Sequence, residues 1–100
     1  MSIEIKIAEK TTINLEPPKM WKVIFHNDDK TPMEFVIELL VSIFKHDVEN
    51  AKMLTLEIHN TGHAVVGVYS HEIAEQRGVE ATQTSRSNGF PLQINLEEEN

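Results

Sequence analysis

Two adjacent carboxylates, Asp28 and Asp29, stand in the stretch HNDDKTPMEF, between an apolar run and a helix-like run. Acidic side chains favour a helix N-terminus, and Asn and Asp suit turns, so turn chemistry alone explains many such pairs. Here Thr31 and Glu34 have the spacing of a capping box, with Pro32 at the first helical position. If these residues cap the helix, the carboxylates of Asp28 and Asp29 remain available to bind a cationic group.

A metal ion is one such cation, but the spacing of the side chains argues against it. Asn27, Asp28 and Asp29 are contiguous, whereas a calcium loop places its oxygen ligands at alternate positions and adds a turn glycine and a distant Glu. His59 and His63 flank a predicted helix end, and the chain has no cysteine, so a zinc site is poorly supported. We therefore predict no metal and no other cofactor.

His59 is a second polar residue whose position suggests a site. An exposed histidine near a helix C-terminus is common, because an imidazolium is mildly favoured there. However, Thr55, Ile58 and His59 share one helical face at the three-and-four spacing, and in a small domain that face can reach Met33 and Val36. The pattern predicts an apolar cup with a polar rim.

The elements that must position these residues follow from hydrophobic periodicity and from turn signals. Asp47 is the expected cap of the second helix, Gly62 its left-handed stop, and Ser70 the cap of the third helix. In chain order we predict a strand from Met20 to His26, a helix from Thr31 to about His46, a helix from Val48 to about Asn60, a buried strand over 64–69, a helix from Ser70 to about Ser87, and a strand over 90–96.

The resulting order, β-α-α-β-α-β, indicates an α+β fold, a small sandwich in which three helices cover one face of a three-stranded antiparallel sheet. The core domain is expected over 20–97 and an acidic tail over 98–100. Residues 1–19 are interpreted as a flexible extension that ends in Pro17-Pro18; the alternation of Ile3, Ile5 and Ile7 leaves an edge strand as the alternative.

Composition limits the classes of function. A chain of 100 residues makes one domain, and a formal charge of −7 without a Lys/Arg cluster makes nucleic acid an improbable partner. The chain has no cysteine, no secretory signal and no apolar stretch of membrane-spanning length. We expect a monomeric cytoplasmic protein that is not bound to a membrane.

Three segments together resemble the ClpS family, the adaptors that deliver substrates to Clp-type AAA+ proteases. They are NDDKTPMEFVIELL, AKMLTLEIHNTGHAVVGVYSHEIAE and FPLQINL, and the likeness runs without gaps from about Met20 to the end of the chain. The resemblance implies a non-enzymatic adaptor. Its expected partners are the N-terminal domain of a Clp ATPase, of the ClpA or ClpC kind, and proteins that carry an N-degron.

The resemblance also implies roles for particular residues, matched position by position. A substrate's free α-amino group would be held by Asn27, Asp28, Asp29 and His59. The pocket for the first side chain would be formed by Thr31, Met33, Val36, Thr55, Ile58 and Leu92. The ATPase would be contacted through Glu72 and Arg77. Position 55 departs from the family pattern, in which Met or another apolar residue is more usual, so the preference among hydrophobic first residues stays open.

Two other functions remain open from the residues themselves. Asp28 and His59 could form a general acid–base pair in a small enzyme, since His titrates near neutrality. Alternatively, the domain could be a structural docking module. Turnover that is lost in His59→Ala would favour the enzyme, whereas a docking module would not depend on a free peptide N-terminus.

Overall fold

The computed structural model describes residues 17–100, and its elements follow the predicted order. They are β1 (Met20–His26), α1 (Met33–Ser42), α2 (Val48–Thr61), β2 (His63–Ser70), α3 (His71–Ser87) and β3 (Gln93–Glu98). The strands form one antiparallel sheet in the order β2-β1-β3. The predicted α+β class and order are confirmed. Most of the predicted N-terminal extension, including Ile3 to Ile7, lies outside the described residues.

The core lies between the helices and one face of the sheet. The central strand β1 contributes Val23 and Phe25, which are both fully buried. Phe25 meets Phe44 edge to face, with 5.4 Å between the ring centroids. Leu40 of α1 and Leu92, which precedes β3, fill the same cluster. Burial of such side chains stabilises the fold by about 1.5–3 kcal/mol each.

The predicted capping box at the start of α1 is wrong. The helix begins at Met33, and Pro32 precedes it in an extended conformation with no side-chain cap. The Pro32 carbonyl accepts the backbone N–H groups of Phe35 and Val36 instead. The residue in the N-cap position is Pro32 rather than Thr31, whose hydroxyl donates to Asp28. The helix also ends earlier than predicted, at Ser42.

The other predicted helix ends are confirmed. The Asp47 side chain accepts the backbone N–H of Asn50, and Gly62 ends α2 with a φ of 98°. The Ser70 hydroxyl accepts the backbone N–H of Ile73 at the start of α3. A positive φ costs glycine nothing, so Gly62 lets the chain turn directly from α2 into β2.

The two outer strands differ from their predictions. β2 is not buried on both faces, since Ala64 and Val66 point into the core whereas Val65 and Val68 are exposed. Helices cover only one face of an antiparallel sheet of this kind, which gives alternating burial. β3 begins at Gln93 rather than at residue 90 and continues to Glu98. Within residues 17–100, none of the helices has the length and apolarity needed to cross a membrane.

Candidate functional site

The loop between β1 and α1 is organised by Asp28. One carboxylate oxygen, Oδ1, accepts the backbone N–H groups of Lys30 at 2.8 Å and Thr31 at 2.7 Å. The other, Oδ2, accepts the Thr31 hydroxyl at 2.8 Å. An Asp side chain that accepts backbone groups two and three residues later forms a local turn. Turn chemistry, which the sequence leaves as the alternative explanation of the acidic pair, therefore applies to Asp28, and its carboxylate is not left free of local partners.

The same contacts determine the charge state of Asp28. Desolvation by burial raises its pKa, but hydrogen bonds from the backbone of Thr31 and Lys30 and from the Thr31 hydroxyl lower it, and Arg86 adds a favourable charge interaction. The net effect is a pKa below the ordinary value of 3.8. Asp28 is therefore an anion at neutral pH, and hydrogen bonds to the charged form stabilise it.

The second side of the site is a face of α2. Thr55 and Ile58 are buried, at 3% exposure each, and His59 is exposed one residue further along. The Thr55 hydroxyl donates to the carbonyl of Ala51 at 2.7 Å, so its one donor hydrogen is used within the helix. Thr55 and Ile58 thus form a buried face of α2, with the polar His59 at its exposed edge.

A backbone hydrogen bond joins the two sides of the site. The Asn27 N–H donates to the carbonyl of Gly62 at 2.9 Å. Gly62 lies three residues after His59, so the bond fixes the start of the acidic loop against the end of α2. The left-handed turn at Gly62 thus brings together residues more than thirty positions apart in the sequence.

A cavity of about 20 Å³ lies where these segments meet. Its lining contains every residue predicted for the amine and side-chain sites except Asp29, and it adds His26. The lining residues are His26, Asn27, Asp28, Thr31, Met33, Val36, Thr55, Ile58, His59 and Leu92. One carboxylate, one amide and two imidazoles therefore share a cavity with apolar side chains.

Arg86, which the sequence patterns do not single out, supports this cavity from α3. Its Nη1 donates to the carbonyls of Leu92 at 2.8 Å and of Phe90 at 3.1 Å. Phe90 in turn packs edge to face on Phe35, with 4.8 Å between the ring centroids. Arg86 thus fixes Leu92 as one wall of the cavity. A basic residue in the last turn of a helix is the signal that could have indicated such carbonyl contacts.

The predicted docking residues lie on α3 and do not line the cavity. Glu72 is exposed in the first turn of the helix. Arg77 is partly buried: its Nη1 donates to the carbonyl of Ile43 at 2.6 Å, and its guanidinium lies 5.4 Å from the centroid of the Tyr69 ring. Arg77 therefore joins α3 to the end of α1, in addition to any role at the surface.

Larger depressions elsewhere have a different character. A groove of about 340 Å³ between α3 and β3 is lined by Gly78, Val79, Ile94 and Leu96 among others, with Glu75 at its side. The combination of an ionised carboxylate, an imidazole and apolar walls makes the smaller cavity the better candidate for recognition. Within residues 17–100, no three metal-ligating side chains are grouped closely enough to hold an ion.

This chain is similar to proteins that are already known. Residues 16–95 match the family model described as the ATP-dependent Clp protease adaptor protein ClpS. The chain is 44% identical over 90 residues to the ATP-dependent Clp protease adapter protein ClpS of Pectobacterium carotovorum, which covers 90% of this chain and 85% of that protein. It also resembles the structure of Agrobacterium tumefaciens ClpS2 bound to L-phenylalaninamide, with a TM-score of 0.80, 38% identity, and coverage of 83% of this chain and 100% of that chain.

Proposed function

The chain belongs to the ClpS family of adaptor proteins of the ATP-dependent Clp protease, and from that premise we propose that its small cavity binds the N-terminal residue of substrate proteins. The proposed substrates begin with Phe, Tyr, Trp or Leu and are delivered to a Clp ATPase for degradation. The observation that carries the proposal is the shared cavity of Asp28, Asn27 and His59 with apolar side chains. The phenylalaninamide bound by the Agrobacterium relative has both required groups, a free α-amine and a benzyl side chain.

The polar part of the cavity suits an α-ammonium group. This group has three N–H donors and a charge, and both must be compensated when it leaves water. Asp28 supplies the opposite charge, and its Oδ2, which accepts only the Thr31 hydroxyl among the described residues, retains acceptor capacity. The Asn27 side-chain carbonyl and a neutral His59 ring nitrogen are two further acceptors.

The apolar part requires one wall to move. A cavity of about 20 Å³ has room for roughly one water molecule, and a benzyl group is much larger. Val36, Thr55, Ile58 and Leu92 are each at most 5% exposed, whereas Met33 is 40% exposed. Met33 has an unbranched, flexible side chain, so we propose that it moves aside when a ligand enters. Burial of a large first side chain then contributes about 2–3 kcal/mol.

An acetylated peptide provides the direct test. We would measure fluorescence anisotropy with two labelled peptides that start with Phe and differ only in N-terminal acetylation. Acetylation removes the charge and leaves the side chain unchanged, so only the free peptide is expected to bind. Equal binding of both peptides would overturn the proposal, as would binding of neither.

Delivery requires a second surface, which we propose includes Glu72 and Arg77. The exposed carboxylate of Glu72 stands on α3, away from the cavity lining. A surface separated from the cavity permits simultaneous binding of a substrate and of the N-terminal domain of the ATPase.

As an adaptor, the protein is proposed to release its peptide chemically unchanged. Product formation on incubation with a peptide would instead support an acid–base role for Asp28 and His59.

A further inference from the structure

Two histidines face each other across the end of the sheet. His26 ends β1, His63 begins β2, and the register pairs them directly. The neighbouring Asn27 N–H donates to the Gly62 carbonyl, which makes His26 and His63 a non-hydrogen-bonded pair. In such pairs the Cα atoms approach to about 4.5 Å and the side chains are closest. The two imidazole rings lie 6.0 Å apart, centroid to centroid, with 31° between their planes.

The pair is accessible from solvent. His63 is exposed and His26 is half-buried. Both rings border an open cleft of about 330 Å³, together with Ile24, Asn95 and Glu97. The cleft provides room for water molecules next to the rings. The formal charge of −7 favours the approach of cations to this protein in general.

We propose that His26 and His63 together bind a divalent late transition-metal ion, such as Ni²⁺ or Zn²⁺, through one nitrogen of each ring. Metal–nitrogen bonds of about 2.0–2.1 Å in tetrahedral geometry place the two nitrogens roughly 3.3 Å apart. A centroid separation of 6.0 Å is compatible with that spacing once the rings rotate so that one nitrogen of each ring faces the other. Water completes the coordination.

The chemistry of the ligands sets the character of this site. Imidazole suits nickel, copper and zinc, whereas calcium and magnesium prefer oxygen ligands. A structural zinc ion uses four protein ligands, and this pair offers two. The metal is therefore exchangeable and is not required for folding. His26 also lines the small cavity, but neither histidine is among the proposed amine contacts, so metal binding can be measured without peptide and does not depend on the proposed peptide binding.

A calorimetric titration of the full chain with Ni²⁺, without peptide, tests the inference. The wild type is expected to bind one Ni²⁺ ion, and His26→Gln and His63→Gln are each expected to bind it at least tenfold more weakly. His71→Gln is the matched control, because His71 is also exposed but packs against Trp21, with 4.5 Å between the ring centroids. Wild-type affinity in either pair variant, or an equal loss in His71→Gln, would overturn the proposal.

A measurement on the wild type alone guards against misfolded variants. Substoichiometric Cu²⁺ is paramagnetic and broadens the NMR signals of nearby nuclei. The imidazole signals of His26 and His63 should broaden together, and before those of His46 and His71. Broadening that starts at His46 or His71, or at only one member of the pair, would contradict a shared site.

Discussion

The carboxylate of Asp28 holds Thr31 at two points: Oδ1 accepts its backbone N–H at 2.7 Å and Oδ2 accepts its hydroxyl at 2.8 Å. Asp28 therefore shapes the loop before α1 and also presents a negative charge to the cavity. A substitution at this position changes both properties. Peptide affinity and the free energy of unfolding must consequently be measured separately.

Asp28→Ala is expected to abolish measurable binding of a Phe-starting peptide while the domain still folds. Truncation of one partner of a hydrogen-bonded charge pair typically costs about 2–5 kcal/mol in affinity. Loss of the loop hydrogen bonds should also lower the free energy of unfolding by about 1–3 kcal/mol. Fluorescence anisotropy would measure the peptide affinity, circular dichroism would show whether the domain folds, and urea unfolding would measure the free energy of unfolding.

Asp29→Ala is the matched comparison for Asp28→Ala, because it removes the same charge one residue later. Asp29 is exposed and does not line the cavity, so its substitution should weaken peptide binding less. Affinity within twofold of wild type in Asp28→Ala would refute the proposed contact. Equal losses in both variants would show that the overall charge of the loop matters more than the Asp28 contact.

The depressed pKa of Asp28 predicts a pH dependence of stability. Because its pKa is lower in the folded protein than the ordinary 3.8, the unfolded chain binds more protons in the interval between the two values. The stabilisation from Asp28 is thus complete above pH 3.8 and is lost as the pH falls through the folded value. The difference in unfolding free energy between wild type and Asp28→Asn should shrink with acidification below that pH. A constant difference from neutral pH to pH 2 would contradict the prediction.

Local signals predicted most of the fold. The caps at Asp47 and Ser70 and the stop at Gly62 are correct because each depends on contacts within a few residues. The failure at Thr31 has a specific cause. Thr31 lies one residue before the observed N-cap, Pro32, and its hydroxyl makes its hydrogen bond to Asp28. Sequence spacing alone does not reveal which of two local hydrogen bonds forms.

Long-range contacts explain what was missed at the site. Arg86 reaches the carbonyl of Leu92, and His26 becomes a cavity residue only because β1 and β2 pair in the observed register. The meeting of α2 with the start of α1 was predicted from the shared face of Thr55, Ile58 and His59. The size of the cavity depends on side-chain conformations such as that of Met33, which no sequence pattern specifies.

Glu72→Lys is expected to weaken binding to the N-terminal domain of the Clp ATPase and to leave peptide affinity unchanged. Charge reversal at an interface adds repulsion, and Glu72 lies outside the cavity lining. Glu80→Lys makes the same change of charge two turns further along α3 and serves as a control. Equal loss of peptide and ATPase binding in Glu72→Lys would show that the docking surface is misplaced.

Arg77→Glu should also weaken ATPase binding without changing peptide affinity, but its stability must be checked first. The substitution removes the hydrogen bond to the Ile43 carbonyl and the contact with the Tyr69 ring. We expect a loss of about 1–3 kcal/mol in the free energy of unfolding, since a partly buried carbonyl loses a charged donor. Thermal unfolding would measure this loss of stability. An unchanged unfolding midpoint would mean that these contacts contribute little to the free energy of unfolding.

Met33→Ala is expected to admit peptides that begin with Ile or Val. The long Met33 side chain borders the cavity, and even after it moves aside we expect it to stay close to the β-carbon of a bound first residue, which would disfavour β-branched side chains. Met53→Ala is the control, because Met53 is 66% exposed and lies outside the cavity lining. Anisotropy on a peptide series should show Ile and Val binding only in the Met33 variant. Continued rejection of both residues would place the selectivity elsewhere.

Thr55 is expected to determine how strongly aromatic first residues are preferred over Leu. Its hydroxyl donates its hydrogen to the Ala51 carbonyl, so it has no donor left for the ligand, and its short side chain forms one wall of the cavity. Once Met33 moves aside, an aromatic ring can spread into the room that a longer side chain at position 55 would fill, whereas Leu makes fewer contacts there. We predict that Phe, Tyr and Trp bind more tightly than Leu by about 1–3 kcal/mol, the range that a methylene or so contributes in an apolar pocket.

Thr55→Met should narrow this difference in affinity by restoring contacts to Leu. Thr55→Val, which keeps the shape and removes the hydroxyl, should leave the gap unchanged. Anisotropy on peptides that differ only in the first residue would measure it, and wild-type protein that binds Leu as tightly as Phe would disprove the assignment.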